Sequence, residues 1–252
     1  MLYNAGCEPS ETQTLVPACA FGDLGSSRTL VVYGDSHAEM WFDAFDKLAT
    51  AIGWRLVMLA KPYCPATSVT FSSPISSGPY AQRVAWQRFA VNRIRSLHPA
   101  VVVITGEFED STIPSKSPSA GSAVEQWQTG EETTLRLLKA PGTSEVVLGN
   151  IADLQTSGPT CLARHVSDVQ DCSISLQKAE ANWLGYYAAE KTAASAEGAR
   201  YINVLPWLCA MTCSPVIGNF DVYFNEFHIT ATYASYLTQV LHAALRPSLA
   251  TA

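Results

Sequence analysis

The chain is short of positive charge: 16 Lys and Arg stand against 22 Asp and Glu in 252 residues, a formal charge of −6 with a pI near 5.3. A polyanion or an anionic bilayer would meet no broad positive field on such a protein, which argues against nucleic acid as a partner. Long apolar runs are also missing. The clearest one, Ala100 to Ile104, is strand-sized and far below the roughly 20 residues that span a bilayer. The first residues, MLYNAGCEPSETQ, have neither the basic stretch nor the apolar stretch of a signal peptide. Low complexity is absent too. Hydrophobic residues make up 48% and aromatic residues 10%, six of them Trp, and burying that much apolar surface offsets the entropy of ordering the backbone. A globular protein follows, and its length fits one large α/β domain.

What the sequence does have is cysteine. Six of the seven fall into three close pairs, Cys7/Cys19, Cys161/Cys172 and Cys209/Cys213, and Cys64 is left over. The short rings predict three local disulfides and a free Cys64. A four-thiolate zinc site from the second and third pairs is the alternative. Neither pair has the C-x2-C spacing of a zinc knuckle and no His stands at ligand spacing, so no metal is expected. Disulfides without a visible signal peptide predict a domain taken from a longer exported or membrane-anchored protein.

Along the chain, residues 1 to 27 read as an irregular lead-in pinned by the first disulfide, and residues 28 to 252 as one ordered domain. Thr29 to Tyr33, Leu56 to Ala60, Ala100 to Thr105, Glu145 to Gly149 and Tyr201 to Val204 read as strands. Helical spacing links Met40 to Ile52, Val84 to Leu97 (Val84, Phe89, Val91 and Ile94 inward), Val124 to Leu138, and Leu176 to Ala196. The final helix carries Tyr233, Leu237 and Leu241 on one stripe with Thr230 as its cap. Lys61 to Pro79 and Glu109 to Gly121 are Pro- and Ser-rich and read as loops. Strands alternating with helices of crossover length predict a parallel sheet of about five strands covered on both faces.

Ligands of open α/β sheets bind beyond the carboxyl ends of the strands, where Gly34-Asp35-Ser36-His37 falls. A serine in the first turn of a helix offers a hydroxyl and its own free N–H together, the parts of a nucleophile and an oxyanion donor. Simple capping by Asp35 or Ser36 is the alternative. Of the five His, only His228 lies at another strand-to-helix junction, which makes it the candidate base.

GDSHAEMWFDAF, KPYCPA, CLARHVSDVQDC and LPWLCAMTCSPVIGNFDVYFNEFHITATYASYL, in this order, resemble the SGNH domain fused to acyltransferase-3 membrane proteins, which O-acetylate sugars of the bacterial cell envelope. The resemblance runs from about Cys7 to the end of the last helix. It implies a three-layer α/β/α flavodoxin-like fold, Ser36 as nucleophile, His228 as base, and no cofactor. It implies an extracytoplasmic setting, a membrane domain in the same polypeptide, and an acyl-carrying sugar, glycan or glycolipid as substrate. Gly106 in ITGEF and Asn150 in LGNIAD are the positional candidates for the class's oxyanion donors. The family acid stands three residues before the His, in D-x-x-H, and here that position is Asn225, so the resemblance implies a weakened site. Glu226 is adjacent to it, but in an extended segment a neighbour points the other way. The competing reading is a glycan-binding or acyl-relay domain without turnover, with Trp41, Trp207, Tyr223 and Phe227 as sugar-stacking rings.

Overall fold

The computed structural model describes residues 2, 5–17, 19–69, 80–108 and 121–251. Most of the Pro- and Ser-rich loop before Pro79, and the stretch from Glu109 to Ala120, lie outside them.

The central sheet is built from β1 (Ala20–Gly22), β2 (Thr29–Gly34), β3 (Arg55–Ala60), β4 (Val101–Ile104), β5 (Ser144–Leu148) and β7 (Arg200–Ile202), in the order β1-β3-β2-β4-β5-β7. The five strands β3, β2, β4, β5 and β7 pair in parallel. β2 is buried over its whole length, as is β4. Strands covered on both faces are therefore near-continuous in Val, Leu and Ile instead of alternating with polar residues. The expected sheet of about five strands gains a sixth: β1 runs antiparallel to β3, pairing Ala20 with Val57. Three residues between a disulfide and a turn are too few to show strand periodicity.

Each strand sends alternate side chains to opposite faces. Leu30 and Val32 join one core with Phe45, Leu48, Tyr233, Leu237 and Leu241, whereas Val31 and Tyr33 join another with Trp86, Ile94, Leu135 and Ala194. The first core lies under α1 (Ser36–Glu39), α2 (Phe42–Ile52), α8 (Ala231–Tyr236) and α9 (Thr238–Ala250). The second lies under α3 (Ala81–Leu97), α4 (Ala123–Leu138) and α7 (Leu184–Glu197).

Details differ from the periodicity. Val84 is 62% exposed, and the buried stripe of α3 is Arg83, Trp86, Ala90 and Ile94. The helix expected from Leu176 to Ala196 is divided into α6 (Leu176–Glu180) and α7, and at the break Trp183 packs on Phe108 with ring centroids 5.9 Å apart. The last helix breaks at Leu237, and Thr230 caps its first half by accepting from the Tyr233 N–H at 3.2 Å. Short pieces complete the fold: α5 (Gly158–Arg164), the ribbon of β6 (Ile174–Ser175) with β8 (Thr212–Cys213), and the ribbon of β9 (Val216–Ile217) with β10 (Phe220–Asp221).

The three disulfides join Cys7 to Cys19, Cys161 to Cys172 and Cys209 to Cys213. Cys64 is free and buried.

Candidate active site

At the carboxyl end of β2 the chain turns sharply into α1. Gly34 allows the turn, since a Cβ there would stand 2.0 Å from the Thr105 carbonyl oxygen and 3.0 Å from Ala38 Cβ. Asp35 caps the helix: one carboxylate oxygen accepts from the His37 N–H at 2.8 Å, the other from the Glu107 N–H at 2.9 Å. The capping role weighed for this segment thus belongs to Asp35, which also ties β2 to the segment after β4. Burial pushes its carboxyl up to about 6. Ser36 is left with its hydroxyl directed elsewhere.

Its Oγ lies 2.8 Å from His228 Nε2. His228 is presented by a tight loop in which Tyr223 and Ile229 bridge and the Phe224 N–H donates to the His228 carbonyl at 2.7 Å. Asn225 folds that loop: its Oδ1 accepts from the backbone N–H groups of Phe227 at 2.9 Å and of His228 at 2.8 Å, an Asx turn. Those two donors decide which end of the amide is the oxygen. The amide nitrogen then stands 3.1 Å from His228 Nδ1 and Oδ1 stands 3.3 Å from it.

The consequence is a contest between tautomers. An N–H donated by Asn225 to Nδ1 leaves the ring proton on Nε2, facing Ser36, where it blocks base action. A ring proton on Nδ1 must share an Oδ1 already bonded to two backbone donors. Among the described residues no carboxylate makes an ion pair with His228. Burial, aided by the nearby His37, holds its pKa down at about 3, so the ring is neutral at neutral pH. Of the carboxylates weighed at the sequence level, Glu226 lines a separate cleft, and Asp221 meets the region through its carbonyl, which accepts from Thr230.

Gly106 and Asn150 sit on either flank of Ser36, around Asp35 and His37. A Cβ on Gly106 would stand 2.5 Å from Pro65 Cβ and 3.4 Å from Asp35 Oδ2, so glycine permits close approach there. Asn150 is 6% exposed; its Oδ1 lies 2.5 Å from His37 Nδ1 and accepts from the Ile151 N–H at 2.9 Å. Its amide nitrogen is the donor end that remains.

Two hollows flank the pair. One of about 540 Å³ contains Ser36, Asn225 and His228 with Leu2, Met40, Phe42, Phe224 and Ile229, and is mostly apolar. The other, about 310 Å³, holds His37, Asn150, Asp153, Trp183, Glu226 and Phe227. Of the proposed stacking rings only Phe227 belongs to it. Trp41 and Tyr223 are fully buried, and Trp207 packs edge-on to Trp41 at 5.9 Å and lines a different groove. Trp183 was missed, because it lies in a helical pattern and meets the cleft only through a helix break.

A twisted, mostly parallel sheet with a Ser-His pair at its carboxyl edge is the architecture of the SGNH and GDSL hydrolases. The periplasmic domain of a lipopolysaccharide acetyltransferase of Salmonella ser. Paratyphi A superposes with a TM-score of 0.67 at 14% identity, over 90% of this chain and 85% of that one. A lipase/acylhydrolase of Enterococcus faecalis follows at 0.51 and 12% identity, over 87% and 96%, and a GDSL-like lipase of Bacteroides thetaiotaomicron at 0.51 and 14%, over 88% and 90%. No curated protein matches by sequence. Residues 6–243 match the family described as the SGNH domain fused to AT3 domains, and the chain belongs to that family.

Proposed function

We propose that the protein transfers or hydrolyses acyl esters on cell-envelope sugars, with Ser36 as nucleophile and His228 as base; the 2.8 Å contact between Ser36 Oγ and His228 Nε2 carries this reading. In the tautomer with its proton on Nδ1, His228 takes the Ser36 proton as Oγ bonds to the ester carbonyl carbon. The Ser36 N–H and the Asn150 amide nitrogen are the donors available to the resulting oxyanion. Collapse expels the alcohol, which takes the proton from His228 and leaves an acyl-serine. A sugar hydroxyl or water then attacks the acyl carbon, and its proton returns through His228 to Ser36. The family's fusion to AT3 domains supports an acyltransferase-3 membrane domain in the same polypeptide, and the disulfides fit an oxidising, extracytoplasmic compartment.

A fluorophosphonate should label Ser36 covalently, with the label absent in Ser36→Ala and much slower in His228→Ala. Hydrolysis of an aryl acetate should fall by at least about 10³-fold in Ser36→Ala, in line with the loss of a nucleophile. The Asn225 amide at His228 favours a second reading, a sugar-binding or acyl-relay domain without turnover. Equal labelling and equal hydrolysis in wild type and Ser36→Ala would establish that reading instead.

A further inference from the structure

We infer that the cleft floored by His37 and Asn150 is the sugar subsite of this site, and that it takes an uncharged sugar in preference to a uronate or a phosphosugar. The inference rests on the proposed Ser-His ester chemistry and specifies where the alcohol side of the ester lies and what charge it carries.

The two hollows differ in chemistry. The larger is walled chiefly by Leu2, Met40, Phe42, Phe224 and Ile229, with Glu39, Asp43, Thr230 and Thr232 at its polar parts, and its surface is mostly apolar. The smaller combines aromatic faces with polar groups. Trp183 and Phe227 line it, and apolar rings of this kind stack on the C–H faces of sugars while nearby polar groups fix the hydroxyls. It adjoins the reacting pair, since His37 follows Ser36 directly and its ring meets that of His228 edge-on at 4.8 Å.

The charged groups are all acidic, and the amides of Asn150 and Gln155 complete the polar lining. Glu107, Asp153 and Glu226 contribute carboxyl groups, and no Lys or Arg is among the described residues that line the cleft. His37 lies at the floor of the cleft. Its Nδ1 lies 2.5 Å from Asn150 Oδ1, which requires the ring proton on Nδ1 and leaves a lone pair on Nε2. That Nε2 is buried and has no hydrogen-bond partner among the described residues, although a buried polar atom is ordinarily paired. Burial keeps the ring neutral, its pKa lowered to about 4. The acidic lining therefore favours a ligand that brings donors. Sugar hydroxyls do, whereas a carboxylate or phosphate brings only more acceptors and a negative charge beside three carboxyl groups.

Methyl β-glucoside and methyl β-glucuronoside differ only in a hydroxymethyl group exchanged for a carboxylate, and their binding to the domain can be followed by NMR titration. The glucoside should bind at least about tenfold more tightly at low ionic strength, where surface electrostatics is least screened. Trp183→Ala should weaken glucoside binding at least about tenfold, with Trp183→Phe restoring most of it. Asp153→Lys should narrow the gap between the two sugars several-fold, while Asp168→Lys, at an exposed position outside the cleft lining, should not. Equal affinities, no binding of either sugar, or indifference to Trp183→Ala with the fold intact would overturn the assignment. Fluorophosphonate labelling of Ser36 in the same samples separates the two ideas. Labelling without sugar discrimination removes only the subsite, and discrimination without labelling removes only the ester chemistry.

Discussion

In the proposed chemistry, the residue that sets the strength of the site is Asn225. In a Ser-His-Asp arrangement the carboxylate holds the productive tautomer and stabilises the imidazolium, and replacing it by Asn costs a serine protease roughly 10⁴-fold in turnover. Here the Asx turn fixes the amide with its oxygen on the backbone and its nitrogen 3.1 Å from Nδ1. An Asp in the same rotamer keeps the turn through one oxygen and puts the other where the nitrogen now stands, an acceptor in place of a donor. Asn225→Asp is therefore expected to raise aryl acetate hydrolysis at least about tenfold, roughly 1.4 kcal/mol off the barrier. The pH profile supplies a second readout. With the His228 pKa held near 3 by burial, the base stays unprotonated and kcat/KM of the wild type should stay flat well into the acid range. A carboxylate beside Nδ1 favours the protonated ring, so the acid limb of the variant should move up in pH. A variant with unchanged rate and unchanged profile would mean that the acid is supplied by another residue, for which Glu226→Gln and Asp221→Asn are the checks.

At the scale of elements, the packing of α4 on α7 holds an unusual pair. Glu131 and Glu190 are 2% and 1% exposed. Burial pushes the Glu131 carboxyl up to about 8, and burial followed by repulsion from Glu131 pushes Glu190 well above the ordinary range. Facing them are Trp127, Glu132 and Tyr201, and the backbone N–H of Asn150, which bonds Glu190 and favours its charged form. None of these is a cation. The folded state thus binds protons that the unfolded chain, with carboxyls near 4.5, has released, so stability is fully present below about pH 4.5 and declines as pH rises through 8. Asp35, raised to about 6, acts in the same direction, while His37 and His228, held down at about 4 and 3 by burial, oppose it only up to the ordinary histidine pKa near 6.5. Tm should fall from about pH 6.5 to pH 9, and Glu131→Gln, which removes the titration, should flatten that decline. A Tm rising across this range, or a slope unaffected by the substitution, would show that the pair is not protonated in the native protein. Neither glutamate was legible beforehand, because each sits in an ordinary amphipathic helix and only the meeting of the two helices buries it. The strands were legible, since burial on both faces writes itself as a local apolar run. So was the meeting of Ser36 and His228, each at a strand-to-helix junction. The cleft beside them was not: residues near 107, 150, 183 and 227 meet there, and no local spacing connects them.

For the whole molecule, the disulfides fasten what the sheet does not. Cys7–Cys19 anchors the segment leading into the edge strand β1, and Cys161–Cys172 closes α5 onto the turn that follows it. α5 also supports the His228 loop, because the Gly158 N–H donates to the Asn225 carbonyl at 3.3 Å and, just ahead of it, the Leu154 N–H donates to the Glu226 carbonyl at 2.9 Å. Cys64 takes no part in this. It lies in the core, and burial pushes its thiol up to about 12, which leaves almost no thiolate to react at neutral pH. These states separate in a thiol titration. Native protein should show no fast-reacting thiol, denatured unreduced protein should show Cys64 alone, and only denatured and reduced protein should show all seven. Zinc held by the later cysteines would instead release metal and expose several thiols on denaturation without reductant. Replacing Cys161 and Cys172 by Ser should lower stability by about 2–4 kcal/mol, the usual value for a short ring. It should also slow Ser36 labelling, because the support of the His228 loop loosens with α5. Lost stability with undiminished labelling would mean that the ring fastens only its own loop.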